Sequence, residues 1–163
     1  MNKPKTNNIL FCGTGGQGVL KAAEVLAQAA IREGFHVKKS EVHGMAQRGG
    51  SVESHVRFGK EVFSPLIPEG EADFLVAFHP EESARLKKFL KKGGKDLTAH
   101  LEKGMHIPHG ARYLNTCLLG ILSTFLPIKE NTWRAALEQS FADKNLNENL
   151  KVFLQARKEV SLR

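Results

Sequence analysis

Apolar and polar positions along the chain follow two periods, and the switches between them mark the elements. Ile9-Leu10-Phe11-Cys12 is a continuous apolar run, which reads as a strand buried on both faces. After a glycine-rich turn, Val19, Ala22, Ala23, Leu26 and Ala30 recur at helical spacing as a stripe of mostly small residues. Gly34 stands where a helix C-cap belongs. A second strand is expected over about residues 35–42, giving a βαβ unit of parallel strands with a right-handed crossover.

Residues 51–58 alternate strictly: Val52, Ser54, Val56 and Phe58 face one way and Glu53, His55 and Arg57 the other. Gly59-Lys60 looks like a hairpin turn into Glu61-Val62-Phe63, so part of the sheet is expected to be antiparallel. Pro65 and Pro68 then break the chain into a loop. Residues 72–78 form a buried strand by their apolarity, and Pro80 with Glu81-Glu82 starts a helix expected to end near Gly93-Gly94. Residues 95–113 carry no clear strand pattern. Helices are expected over about 113–125, 131–141 and 147–158, with Trp133, Leu137 and Phe141 on one face of the middle one. Leu150, Phe153 and Leu154 make the last helix either core or a docking element. The pattern predicts an α/β fold: a three-layer α/β/α domain with a mostly parallel, partly antiparallel sheet and a Rossmann-like start. It is read as a single domain over residues 1–163, with 1–7 as a flexible terminus.

Composition adds exclusions. The chain is 41% hydrophobic and 25% charged, which fits a globular protein and argues against disorder. No apolar run approaches the ~18 residues of a membrane span, and the start has no signal-peptide core, so a cytoplasmic protein without membrane contact is expected. The formal charge of +7 comes largely from Lys87, Lys88, Lys91, Lys92 and Lys95. Little aromatic interleaving accompanies them, so a solvated helix face is preferred to nucleic-acid binding. Two well-separated cysteines, Cys12 and Cys117, give no disulfide framework and too few thiolates for an iron–sulfur cluster. His106 and His109, with His100 nearby, lack the further ligands of a zinc site and read as loop histidines. No metal site and no catalytic acid, base or nucleophile is assigned, and Ser51 and His55, four residues apart on one strand, are not taken as a nucleophile and base pair.

Gly13, Gly15 and Gly18 satisfy G-x-G-x-x-G between a strand and a helix. Such a turn can cradle an anion with its amides and the helix N-terminus, or can be a tight turn that binds nothing; the residues leave both open. A nicotinamide site would need an acidic residue such as Glu41 after the second strand, but the Gly16-Gln17 insert is unusual there. The second glycine stretch sets Arg48 before Gly49-Gly50, a fork-shaped cation beside flexible amides, suited to phosphate, to carboxylate or to an ion pair that steadies the loop. The column Glu53, His55, Arg57 reads as a solvated sheet face or a subunit contact in preference to catalysis. His79 reads as an N-cap in preference to a ligand contact.

Taken together, Gly13-Thr14-Gly15-Gly16-Gln17-Gly18-Val19, Arg48-Gly49-Gly50-Ser51 and His55-Val56-Arg57 resemble the gamma-type domain of the 2-oxoacid:ferredoxin oxidoreductases. Residues 41–59 look most like the small subunit of the indolepyruvate-type enzymes, and Asp73 and the stretch Asn115 to Gly120 match the later pattern. The resemblance implies a subunit inactive alone. A larger partner would hold thiamine diphosphate and iron–sulfur clusters, decarboxylate an aryl pyruvate to an acyl-coenzyme A, and pass electrons to ferredoxin. It implies that Gly13, Gly15, Gly16, Gln17, Gly18, Arg48, Gly49 and Gly50 face the partner or the coenzyme A, with His55 and Arg57 as polar support. The family pattern also implies another strand after Gly93-Gly94. Residues 95–100 show no strand pattern, so either a trimmed segment or a diverged relative with a reduced sheet is expected there.

Overall fold

The computed structural model describes residues 5–43, 49–101, 112–142 and 145–162. Its centre is a five-stranded sheet in the order β2-β3-β1-β4-β5. The strands are β1 (Thr6–Thr14), β2 (His36–His43), β3 (Ser51–Gly59), β4 (Ala72–Ala77) and β5 (Leu90–Asp96). β1 runs parallel to β4, and β4 to β5, whereas β3 is antiparallel to both β1 and β2. β3 alone is therefore reversed, which makes the sheet mixed. The central strand is the expected apolar run: Ile9, Leu10, Phe11 and Cys12 are all fully buried. β1 begins at Thr6 and Asn7 is already buried, so those two residues are sheet and not frayed terminus.

Three expectations need correction. β2 runs in the same direction as β1 but does not pair with it, because β3 lies between them. The strand with Val52, Val56 and Phe58 on one face fills an interior place, while the charged strand HVKKSEVH goes to the edge, where charge guards against edge-to-edge pairing. No hairpin follows Gly59: both sides of β3 are taken by β1 and β2, and residues 60–71 form no strand. The helix from Pro80 stops early. α2 (Pro80–Leu86) passes through a short 3-10 turn at Lys87–Phe89 into β5, so Gly93-Gly94 sits inside a strand. Gly93 at φ +79° accompanies a register shift against β4, and a Cβ on Gly94 would lie 2.9 Å from the Ala72 carbonyl oxygen. The lysines read as a helix face therefore lie on the turn and on an edge strand. The strand that the family resemblance implied is present, only earlier in the chain than residues 95–100.

The sheet is covered unequally. α1 (Val19–Glu33), α3 (Leu114–Ser123), α4 (Glu130–Phe141) and α5 (Leu146–Ser161) share the larger core with Phe11, Val56, Phe58 and Val76. Gly34 caps α1 in the left-handed region at φ +99°, its amide reaching Ala30 and Ile31. α3 and α5 approach closely because Gly120 has no side chain: a Cβ there would lie 2.4 Å from the Phe153 carbonyl oxygen. Phe153 is fully buried and stacks 5.6 Å from Trp133, which makes α5 core. On the opposite face, among the described residues, α2, the 3-10 turn and residues 60–71 cover a smaller core of Leu10, Cys12, Ile67, Leu75, Ala77 and Leu86.

Candidate functional site

The two glycine stretches meet at the carboxyl end of β1, where β4 also ends and β3 begins. Gly15 donates its amide to the Gly50 carbonyl oxygen at 3.0 Å. Gly13 leaves no room for a side chain, since a Cβ would come within 2.9 Å of Gln17, Val19 and Phe78. Gly18, at φ +84°, is the N-cap of α1, and a Cβ on it would lie 2.7 Å from the Asn115 amide nitrogen. Gly16 and Gly49 also have positive φ, with open space around them. Gln17 closes the turn from inside. Its Oε1 accepts the Thr14 amide at 2.7 Å and its Nε2 donates to the Phe78 carbonyl oxygen at 3.2 Å. The Thr14, Gly15 and Gln17 amides are therefore all bonded to protein oxygens, the last to the Thr14 carbonyl at 3.2 Å.

Above this turn lies a cleft of about 420 Å³, lined by Gly15, Gly16, Gly18, Lys21, His43 and Val52 among others. α1 carries no acidic residue in its first turn, so the helix N-terminus favours negative charge in the cleft, and Lys21, whose Nζ stands 5.2 Å over the Phe141 ring of the adjoining cleft, adds positive charge beside it. A second cleft of about 450 Å³ adjoins it through Lys21 and is lined further by Arg112, Asn115, Asn145 and Asn149. Glu41, weighed as a ribose ligand, is held by Lys39 at 3.0 Å, and the same lysine reaches Glu24 at 2.9 Å.

Six of the expected glycines (Gly13, Gly15, Gly16, Gly18, Gly49 and Gly50) and Gln17 thus come together, while Arg48, His106 and His109 lie outside the described residues. His55 and Arg57 lie elsewhere, under residues 60–71. His55 is 3% exposed; its Nδ1 accepts the Ile67 amide at 3.1 Å and its ring meets Phe89 edge-on. Arg57 donates to Asn8 Oδ1 at 2.9 Å and to the Ser64 and Leu66 carbonyl oxygens at 3.0 and 3.1 Å. The polar column of β3 is consequently covered rather than solvated: the loop that the sequence left without a role packs on it. His79 acts as the expected cap, its Nδ1 accepting the Glu81 amide at 3.3 Å.

The sequence reading missed a charged network between β3 and α2. Ser51 Oγ donates to Glu82 Oε1 at 2.8 Å, and Arg85 bonds Glu82 Oε2 at 2.8 Å and stands 3.6 Å from Glu53 Oε2. Burial pushes the Glu82 carboxyl up, yet hydrogen bonds from Arg85 and Ser51 hold it below its ordinary value. The His55 imidazole, 3.9 Å away, lowers the Glu53 carboxyl against the opposing effect of burial, with Arg85 adding to the lowering. The acidic pair Glu81-Glu82 was legible only as a helix start; that Glu82 turns inward was not. Burial pushes the thiols of Cys12 and Cys117 up to about 12. They lie in the two separate cores, on opposite faces of the sheet, and do not fit an iron–sulfur cluster. Among the described residues no group of three metal-binding side chains occurs, and no helix is long and apolar enough to cross a membrane.

The mixed sheet with its helices has the fold of a 2-oxoacid oxidoreductase gamma subunit. The chain superposes on the gamma subunit of a keto/oxoacid ferredoxin oxidoreductase from Geobacter sulfurreducens with a TM-score of 0.75, covering 96% of this chain and 99% of that one at 21% identity. It superposes with a TM-score of 0.78 on 2-oxoglutarate:ferredoxin oxidoreductase from Magnetococcus marinus, a structure with 2-oxoglutarate, coenzyme A and succinyl-coenzyme A bound, covering 99% of this chain but 32% of that one at 22% identity. Residues 8–109 match the pyruvate ferredoxin/flavodoxin oxidoreductase family, and the chain belongs to it. It is 51% identical over 90 residues to the indolepyruvate oxidoreductase subunit IorB of Thermococcus kodakarensis, covering 55% of this chain and 45% of that protein. Identity to the IorB of Archaeoglobus fulgidus is 55% over 85 residues, 52% of this chain and 42% of that one. The chain therefore spans less than half the length of these relatives.

Proposed function

We propose that this chain is the small subunit of an indolepyruvate-type 2-oxoacid:ferredoxin oxidoreductase. The observation that carries the reading is the 51% identity to an indolepyruvate oxidoreductase subunit, against 32% to a ketoisovalerate oxidoreductase subunit from Methanothermobacter marburgensis. The partner is a larger subunit holding thiamine diphosphate and iron–sulfur clusters, and it supplies the decarboxylation and the electron transfer to ferredoxin. This chain contributes a docked pair of glycine loops. The cleft above them, with Lys21 and the start of α1, suits an anionic group such as a phosphate of coenzyme A. Three bonded turn amides and the pairing of Glu41 with Lys39 weigh against a free-standing nicotinamide enzyme.

The test is co-expression with the larger subunit, followed by indolepyruvate-dependent reduction of a viologen dye. A stable complex whose activity disappears when this chain is omitted supports the assignment. A folded chain that neither binds the larger subunit nor restores activity would sink it and favour a non-catalytic binding module. Within the active complex, Lys21→Glu raises KM for coenzyme A at least fivefold if the cleft receives its phosphates; an unchanged KM removes coenzyme A from this chain.

A further inference from the structure

We infer that Glu82 and Arg85 of α2 are positioning residues that clamp the second glycine loop onto the first. The path is short. Arg85 fixes the Glu82 carboxylate, with Nη2 at 2.8 Å and Nε at 3.3 Å from both oxygens. Glu82 Oε1 takes the Ser51 hydroxyl at 2.8 Å, and the carbonyl of the preceding residue, Gly50, takes the Gly15 amide at 3.0 Å. Loss of the Ser51–Glu82 bond removes the hydrogen bond that ties the start of β3 to α2, leaving Ser51 held by its ladder pairing with Thr14. The first loop is anchored at the same junction, because Gln17 bonds the Phe78 carbonyl at 3.2 Å, two residues before α2 begins.

Three features separate this from an incidental ion pair. Glu82 is 7% exposed and the Glu53 side chain 13%, so the two carboxylates are withdrawn from water around a single guanidinium. Apolar side chains at the two carboxylate positions would cost less desolvation, and carboxylates withdrawn from water beside a guanidinium that stays half exposed therefore point to geometric specification. α2 itself has seven residues, too few to be stable alone, and sits on the thinly covered face of the sheet. Finally, Glu53 Oε2 and His55 Nε2 are buried with no hydrogen-bond partner, so the network is satisfied at its Ser51 end and loose at its far end. The well-made bonds are those that reach the glycine loop. Gly49 at φ +67° and Gly50 carry no side chains with which to hold themselves, and an external clamp supplies what they lack.

The clamp rests on geometry alone; its consequence for coenzyme A rests on the function proposed above. Amide hydrogen exchange on the full chain reads the first part. Ser51→Ala and Glu82→Gln are expected to lower the protection of the Gly15 amide tenfold or more, with Arg85→Lys intermediate. Amides of the β1–β4 ladder should stay within twofold of wild type. Wild-type protection at Gly15 in both variants would overturn the inference, and if Glu82→Gln does not fold, Ser51→Ala, which removes one hydroxyl, decides. In the assembled complex, Ser51→Ala should raise KM for coenzyme A about fivefold with kcat within twofold. Lost protection with an unchanged KM upholds the clamp and overturns coenzyme A as the occupant of the cleft.

Discussion

At the residue scale, the glycines of the first turn are needed for different physical reasons, and the difference is measurable. Gly16 has a left-handed φ of +88° but empty space around it, so Gly16→Ala meets only the backbone penalty of about 1–2 kcal/mol. Gly18 combines φ +84° with a Cβ position 2.7 Å from Asn115, which adds overpacking of roughly 1–3 kcal/mol. Urea unfolding should therefore rank Gly18→Ala as clearly less stable than Gly16→Ala; equal midpoints would show that Asn115 moves aside freely. The glycine spacing was legible in the sequence because it is local. The inward turn of Gln17 was not, since its partner, the Phe78 carbonyl, lies 61 residues away along the chain. Likewise the alternation of β3 told which side His55 and Arg57 take, but not that residues 60–71 would cover them.

At the element scale, periodicity located the strands and most helices, and the errors arose where one pattern suits two structures. Residues 87–96 place lysines at helix-like spacing, yet Gly93 and Gly94 allow a bulged strand beside β4, which has an open edge there. The lysines then guard the outer edge of the sheet. Replacing Lys92 and Lys95 by valine should promote concentration-dependent self-association with little change in the monomer's far-ultraviolet circular dichroism. Sedimentation velocity would read this, and a variant that stays monomeric at high concentration would show that the edge is protected by something other than charge. The missed hairpin has a related cause. A strand can pair on two sides only, and β3 spends both on partners that precede it in the chain.

At the scale of the whole molecule, one face of the sheet carries four helices and most of the apolar core, and the other holds the ionic network under thin cover. Acid stability should follow that second face. Glu53 and Glu82 titrate below their ordinary value of 4.5 in the folded protein, so they bind fewer protons folded than unfolded around that pH. Their stabilisation is present above about pH 4.5 and is lost as the pH falls through their folded values. Unfolding midpoints should thus drop between pH 6 and pH 3, and Glu82→Gln should lower the midpoint at pH 6 and flatten that drop. A Glu82→Gln variant with an undiminished acid slope would assign the pH dependence to other carboxylates, Glu24 first among them, which Lys39 also holds low.

What the sequence determined alone is what short-range physics can encode: the buried central strand, the capped first helix, the two glycine stretches and the likeness to a family built on them. The tertiary structure decided the rest. Inserting β3 between β1 and β2 brought Gly50 onto Gly15. The same arrangement hid His55 and Arg57 beneath a loop and turned Glu82 inward against Ser51. Each of those contacts joins residues 7 or more positions apart, and strand order, which no local period records, sets which of them can meet.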